Sequence, residues 1–229
     1  MNNYIINYNG GGNSKNKINL FSNPRSSCSW RIRLVLEYKG IKYDKIEVDS
    51  NILKSEKYAL MNPMKKLPTL QVNDLFMTQT IAIMEYINDN YNKKLNLVPS
   101  NLQDKQKMKE IVLIIVSDIQ PLQNLSILRS ISEYTNFPEK EGKKNMHKWA
   151  VIQINRGLGA IEKILKESNK YCIGNNITFA DCCLVPQFYN AVIHFGIDKE
   201  LFPKIYNIYK KLQKRNFFIN AKPDNYIDI

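Results

Sequence analysis

Two kinds of hydrophobic spacing divide the chain. Up to about residue 97, short apolar runs of strand type surround one helical stripe; from Asp104 onward no run alternates with period two, and apolar residues recur at helical spacing. The run at 18–21 predicts a short strand. Ser22-Asn-Pro-Arg-Ser-Ser-Cys28, rich in turn formers and helix caps, predicts a loop that opens a helix. Trp30, Leu34, Val35 and Tyr38 form the stripe of that helix, broken by Arg31, Arg33 and Glu37, and Gly40 stands where a C-cap belongs. The β-branched, partly alternating segment 41–48 predicts a second strand, which completes a βαβ unit. After a polar stretch, the runs at 68–72 and 75–77 flank Asn73-Asp74 and predict a hairpin, followed by a helix from Thr80 to about Asn90. Residues 95–101, with Pro99, predict a linker.

The second half predicts helices over 107–128, 144–166, 179–195 and 202–214. Thr178-Phe-Ala-Asp181 is a variant capping box, with Ile177 and Cys182 placed as a hydrophobic staple. The helix it opens is apolar almost throughout, which predicts the buried central helix of a bundle; Pro186 should kink it or lie near its first turns. The fold class expected is therefore α/β followed by all-α. A small α/β domain spans 18–97 and an all-helical domain spans 104–229. Residues 1–17, mostly Asn, Gly and Lys, offer too little apolar surface to offset the entropy of ordering and predict a flexible extension.

Composition narrows the setting more than the chemistry. The 229 residues are 44% hydrophobic and 24% charged, with a mean hydropathy of −0.38, as in an ordinary soluble globular protein. Thirty-three Lys and Arg against 21 Asp and Glu give +12, which admits nucleic acid, an anionic membrane or anionic small molecules as partners. The lysines are dispersed among asparagines, and Lys143-Lys144 or Lys210-Lys211 have the look of solvated faces, so nucleic acid is not expected. No signal-like or membrane-spanning apolar run is present, which predicts a soluble cytoplasmic protein with no membrane partner. Four cysteines, with only His147 and His194 beside them, give neither a disulfide framework nor zinc spacing; no metal is expected.

Candidate chemistry gathers at two strand-to-helix junctions. The hydroxyls and amides of Ser26-Ser27-Cys28 converge on the positive end of a helix, which favours an anion; capping alone accounts for them equally well. Pro68 begins a strand that belongs inside the sheet, and a cis Leu67-Pro68 bond resolves that conflict. It would also free the Leu67 backbone to pair with an extended peptide. Gln79-Thr80 forms the second junction. Two helix N-termini and one strand edge suit a short peptide carrying carboxylates.

Ser26-Ser-Cys-Ser-Trp-Arg-Ile-Arg33 resembles the signature of zeta-class glutathione transferases, the family that includes maleylacetoacetate isomerase. The similarity continues through Asn62-Pro-Met-Lys, Leu67-Pro-Thr-Leu70, Gln79-Thr-Ile-Ala-Ile, Ile119-Gln-Pro-Leu-Gln-Asn-Leu-Ser126, Tyr171-Cys-Ile-Gly174 and Leu184-Val-Pro-Gln187, and covers about residues 18–215. It implies a thioredoxin-like domain followed by a helical bundle domain, usually dimerised, with glutathione as cosubstrate.

The resemblance also implies roles. Ser26 would hydrogen-bond the glutathione sulfur, and a shift of about two pKa units toward thiolate corresponds to roughly 2.7 kcal/mol. Ser27 and Cys28 would shape the same catalytic pocket. Leu67 would hold the cysteinyl backbone, Gln79 and Thr80 the γ-glutamyl end, and Gln120, Asn124 and Ser126 the remainder from the helical domain. A family contact after the second strand has no counterpart, because this chain is shorter there. Cys28 invites a redox alternative, but the cysteine of transferases that work that way matches Ser26 in position. The implied reaction is glutathione-dependent cis–trans isomerisation of maleylacetoacetate to fumarylacetoacetate: thiolate addition, rotation and elimination. Arg25 and Arg31 would bind the substrate carboxylates, with solvated arginine as the plain alternative. A third family arginine is missing from Phe188-Tyr-Asn-Ala-Val-Ile-His-Phe195, where His194 is the nearest replacement. A transferase or peroxidase without the isomerase substrate, and a non-catalytic binding module, remain as alternatives.

Overall fold

The computed structural model describes residues 17–134 and 138–229; apart from Lys17, the expected flexible extension lies outside the described residues. Strands β1 (Ile18–Ser22), β2 (Asp44–Glu47), β3 (Thr69–Val72) and β4 (Leu75–Met77) form one sheet in the order β2-β1-β3-β4. β1 runs parallel to β2 and antiparallel to β3, with Leu20 opposite Leu70, and β3 turns directly into β4. Helices α1 (Ser27–Lys39) and α4 (Thr80–Asn90) complete the βαβ-ββα order expected of a thioredoxin-like domain.

The expected strand at 41–48 is shorter than the sequence suggests. Gly40 takes the left-handed conformation (φ 67°), and the Ile41 N–H bonds back to the Leu36 carbonyl at 3.0 Å, so residues 40–41 still belong to the end of α1. The polar stretch after β2 forms α2 (Ser50–Lys54) and α3 (Glu56–Met61), which the spacing did not announce. Their caps explain them: Asp49 accepts the N–H groups of Asn51 and Ile52, and Ser55 accepts that of Tyr58. Tyr58 is their one buried residue, so no apolar stripe was available to betray them.

The helix expected over 107–128 is not continuous. It comprises α5 (Leu102–Leu113), a π-helical turn over Ile114–Ile119, α6 (Gln120–Gln123) and α7 (Leu125–Tyr134). Pro121 has no N–H for the helical ladder. Asn124 is extended, and its side chain accepts the Ser126 N–H at 3.1 Å, which restarts the helix. Then come α8 (Glu139–Ile164), α9 (Phe179–Phe195), a 3-10 turn (Lys199–Leu201), α10 (Pro203–Leu212) and α11 (Asn216–Ala221). α8 begins earlier than expected, and α11 was not anticipated. Gly157 of α8 allows the π turn to approach, since a Cβ there would overlap the Ile119 side chain.

α9 is the buried central helix, with every residue from Phe179 to Tyr189 in the core and Pro186 within it. Its start is fixed by the Asp181 carboxylate, which accepts the Cys172 N–H at 2.9 Å, the Thr178 N–H at 2.8 Å and the Thr178 hydroxyl at 2.9 Å. Burial pushes the Asp181 pKa up, and these donors oppose the shift.

α1 joins the two halves, packing on α4 within the first and on α9 and α11 in the second. Its Trp30, 1% exposed, is boxed edge-on by Tyr189, Phe218 and Tyr226 at centroid distances of 5.2, 5.5 and 6.1 Å. Among the described residues no single helix is long and apolar enough to cross a membrane.

Candidate active site

β1 delivers the chain to Ser26, the N-cap of α1, whose Oγ accepts the Ser29 N–H at 3.1 Å. A serine hydroxyl carries one proton and two lone pairs, so this cap leaves the proton for another acceptor. Ser26, Ser27 and Cys28 are all half-buried, and they stand where the α1 dipole favours negative charge.

Gln120, the first residue of α6, knits this corner to both halves of the chain. Its Oε1 accepts from the Cys28 thiol at 3.5 Å and from Arg31 Nη2 at 2.6 Å, while its Nε2 donates to Ser27 Oγ at 3.2 Å. Arg31 Nη1 donates in turn to Thr80 Oγ1 at 2.9 Å, at the start of α4. Ser27, Cys28, Arg31, Thr80 and Gln120 are thereby brought together. Arg31 is buried, 1% exposed; each of its Nη atoms is engaged by protein, and its Nε–H has no partner among the described residues. These bonds tie α1 to α4 and α6.

The Leu67-Pro68 peptide is cis, as the sequence implied. Its loop is anchored at the Lys66 carbonyl, which accepts from the Tyr58 hydroxyl at 2.9 Å and from Asn62 Nδ2 at 2.6 Å. Among the described residues none bonds the Leu67 N–H or C=O, so that backbone edge is available to a ligand. Gln79 is exposed, with φ at 65° and ψ at 108°, a conformation that costs about 1–3 kcal/mol and is found mainly where function requires it.

Asn124 and Ser126 lie across the cleft from that loop. Asn124 Oδ1 accepts the Ser126 hydroxyl at 2.8 Å, and Lys66 reaches over to Asn124 Oδ1 at 3.5 Å and Ser126 Oγ at 3.2 Å. The sequence reading missed Lys66. Its one local signal is that it precedes Leu67, and only the folded chain sets its ammonium between the two halves.

A second space opens on the other side of Ser26. It measures about 90 Å³ and is lined by Arg25, Ser26, Trp30, Tyr189, His194 and Ile227, among others. Arg25 is exposed and supplies the positive charge. Burial, and then the Arg25 charge, hold the His194 pKa below its ordinary 6.5, so His194 is neutral at pH 7 and does not replace the missing arginine as a cation. Cys172, Cys182 and Cys183 are buried, and burial pushes their thiols up, which leaves half-buried Cys28 as the accessible thiol among the described residues.

The glutathione S-transferase N-terminal domain model matches residues 16–89, and the C-terminal domain model matches residues 106–216. The maleylacetoacetate isomerase of Dictyostelium discoideum is 38% identical over 220 residues, spanning 94% of this chain and 97% of that protein. The Arabidopsis thaliana glutathione S-transferase Z1 is 33% identical, spanning 93% and 94%. A bacterial zeta-class maleyl pyruvate isomerase superposes with a TM-score of 0.83 at 26% identity, covering 92% of this chain and 99% of the other. An Anaeromyxobacter dehalogenans maleylacetoacetate isomerase with glutathione in its active site superposes with a TM-score of 0.80 at 31% identity, covering 93% and 98%. With its thioredoxin-like sheet, helical second half and Ser26 junction, this chain belongs to the zeta-class glutathione S-transferase and maleylacetoacetate isomerase family.

Proposed function

We propose that this chain is a cytoplasmic, homodimeric, glutathione-dependent enzyme that isomerises maleylacetoacetate to fumarylacetoacetate and also transfers glutathione to small electrophiles. Residues 18–97 form its glutathione-binding domain and residues 104–229 its helical domain. The observation that carries the reading is the position of Ser26: a helix N-cap whose hydroxyl proton is uncommitted, with a polar network on one side and a pocket carrying a cation on the other.

The residues fit the tripeptide. Leu67 offers a free backbone edge for its cysteinyl unit; Gln79 and Thr80 offer a helix N-terminus for its γ-glutamyl carboxylate; Gln120, Asn124 and Ser126 add polar contacts from the helical half, to which we add Lys66 as a cation. Glutathione supplies a thiol that adds reversibly to a conjugated double bond. Ser26 donates to the sulfur and, with the α1 dipole, favours its anion; Ser27 and Cys28 hold Gln120 against that site. Arg25 binds a substrate carboxylate, and Arg31 positions Gln120 and Thr80.

The test is isomerisation of maleylacetoacetate with and without glutathione, beside a conjugation assay. Glutathione-dependent isomerisation, reduced about 10²–10³-fold by Ser26→Ala, is the expected result. Conjugation without isomerisation would leave a transferase of other substrate range, which the missing third arginine favours. Unchanged glutathione-dependent turnover in Ser26→Ala would remove both catalytic readings.

A further inference from the structure

The pocket beside Ser26 contains a phenol that none of the roles above uses. Tyr189 of α9 is 4% exposed and lines this pocket together with Arg25 and Ser26. Trp30 packs edge-on against its ring at 5.2 Å and Tyr226 stacks on it at 5.0 Å, so the ring is held in one orientation. The hydroxyl oxygen accepts the Ile227 N–H at 3.0 Å, and Ile227 lines the same pocket. Tyr189 and the residue whose N–H its hydroxyl accepts thus both line the pocket. A phenol has one proton to donate, and among the described residues no acceptor takes it. A fixed O–H with an uncommitted proton, close to where a thiolate is held, is the arrangement that stabilises negative charge developing on a neighbouring oxygen.

We propose that Tyr189 is a catalytic residue that donates a hydrogen bond to the enolate oxygen formed when the bound thiolate adds to an α,β-unsaturated ketone. The inference rests on the glutathione-enzyme reading above. The sulfur lone pair forms a C–S bond at the β-carbon, the π pair moves toward the carbonyl, and the ketone oxygen takes the negative charge. Tyr189 donates to that oxygen and keeps its proton. The former double bond, now single, turns; the enolate pair then re-forms C=C as the C–S bond breaks and the thiolate leaves. Nothing is oxidised or reduced. The work divides between two side chains, with Arg25 holding a carboxylate and Tyr189 the enolate, in a pocket where neutral His194 adds no charge.

The experiment compares three reactions of the full chain: isomerisation of maleylacetoacetate, glutathione addition to a phenylbutenone, and displacement of chloride from chloroacetate, which forms no enolate. Tyr189→Phe should lower kcat/KM for the first two about a hundredfold and for the third far less. The thiolate absorbance of bound glutathione should titrate at the same pH as in the wild type. Equal losses on phenylbutenone and chloroacetate, or a displaced thiol titration, would overturn the proposal. Ile227→Pro removes the N–H that Tyr189 accepts and should keep the ratio of the enone to the chloroacetate rate at its wild-type value; if it reproduces the ratio of Tyr189→Phe, Tyr189 merely anchors the C-terminal segment. If the wild type adds glutathione to the enone without isomerising maleylacetoacetate, the isomerase reading fails, and the enone-to-chloroacetate ratio still decides on Tyr189.

Discussion

On one side of Ser26, side chains from α1, α4 and α6 are tied by hydrogen bonds, with Gln120 accepting from Cys28 and Arg31 and donating to Ser27, and Arg31 reaching on to Thr80. On the other side, Trp30 and Tyr189 supply the aromatic part of a pocket that Arg25, Asn190 and His194 also line; Tyr226 stacks on Tyr189 at 5.0 Å, and the Ile227 N–H donates to the Tyr189 hydroxyl. The polar side suits a ligand of fixed shape, because directional bonds hold donors and acceptors at set positions. The aromatic side offers apolar ring area and one exposed cation, Arg25, with fewer fixed bonds. If the function proposed above holds, substitutions on the aromatic side should change which electrophile is accepted more than they change glutathione binding.

Substitutions on the two sides should fail differently. The largest effect belongs to Trp30→Ala, which empties the box shared by α1, α9 and α11 and should cost about 3–5 kcal/mol in urea unfolding. If the two halves then unfold in separate transitions, α1 is the joint between them; a single unshifted transition would refute the shared box. Gln120→Ala is next. It removes the acceptor of a buried guanidinium and should cost about 1.5–3 kcal/mol while raising KM for glutathione more than for the electrophile. An Arg31/Gln120 double-mutant cycle should show coupling of about 0.5–3 kcal/mol, and additivity would break the clamp assigned to them.

Gly157→Ala tests the polar side from a distance. The added methyl meets Ile119, which immediately precedes Gln120, so overpacking of about 1–3 kcal/mol should appear together with weaker glutathione binding. Lost stability with unchanged glutathione affinity would separate the π turn from the site. The smallest effect is expected at His194. Its folded pKa lies below its unfolded one, so the native state binds fewer protons there; its contribution is intact above about pH 6.5 and is lost as pH falls toward the folded value. His194→Asn should make the fall of Tm below pH 6.5 shallower, and identical Tm profiles would show that this site does not titrate on the aromatic side.

Local signals were legible where one element supplies them. The Ser26 cap, the left-handed Gly40, the cis Leu67-Pro68 bond and the apolar α9 each follow from residue types at short range. The break at Asn124 was hidden because apolar spacing continues across it while Pro121 and an Asn side chain interrupt the ladder. α2 and α3 were hidden for the opposite reason, being held by caps with little apolar face. The burial of Arg31 could not be read locally, because a cation in a motif looks the same whether solvated or buried.

The sequence by itself determined the order of elements, the strand-to-helix junctions and the chemical types gathered at them, since each depends on neighbours within a few residues. Tertiary structure alone decided that Gln120 would accept from both Cys28 and Arg31, that Lys66 would face Asn124 and Ser126, and that Tyr189 would line one pocket with Ser26. Those contacts join residues far apart in the chain, and their geometry is set by how α1 packs against α4, α9 and α11, which no local pattern encodes.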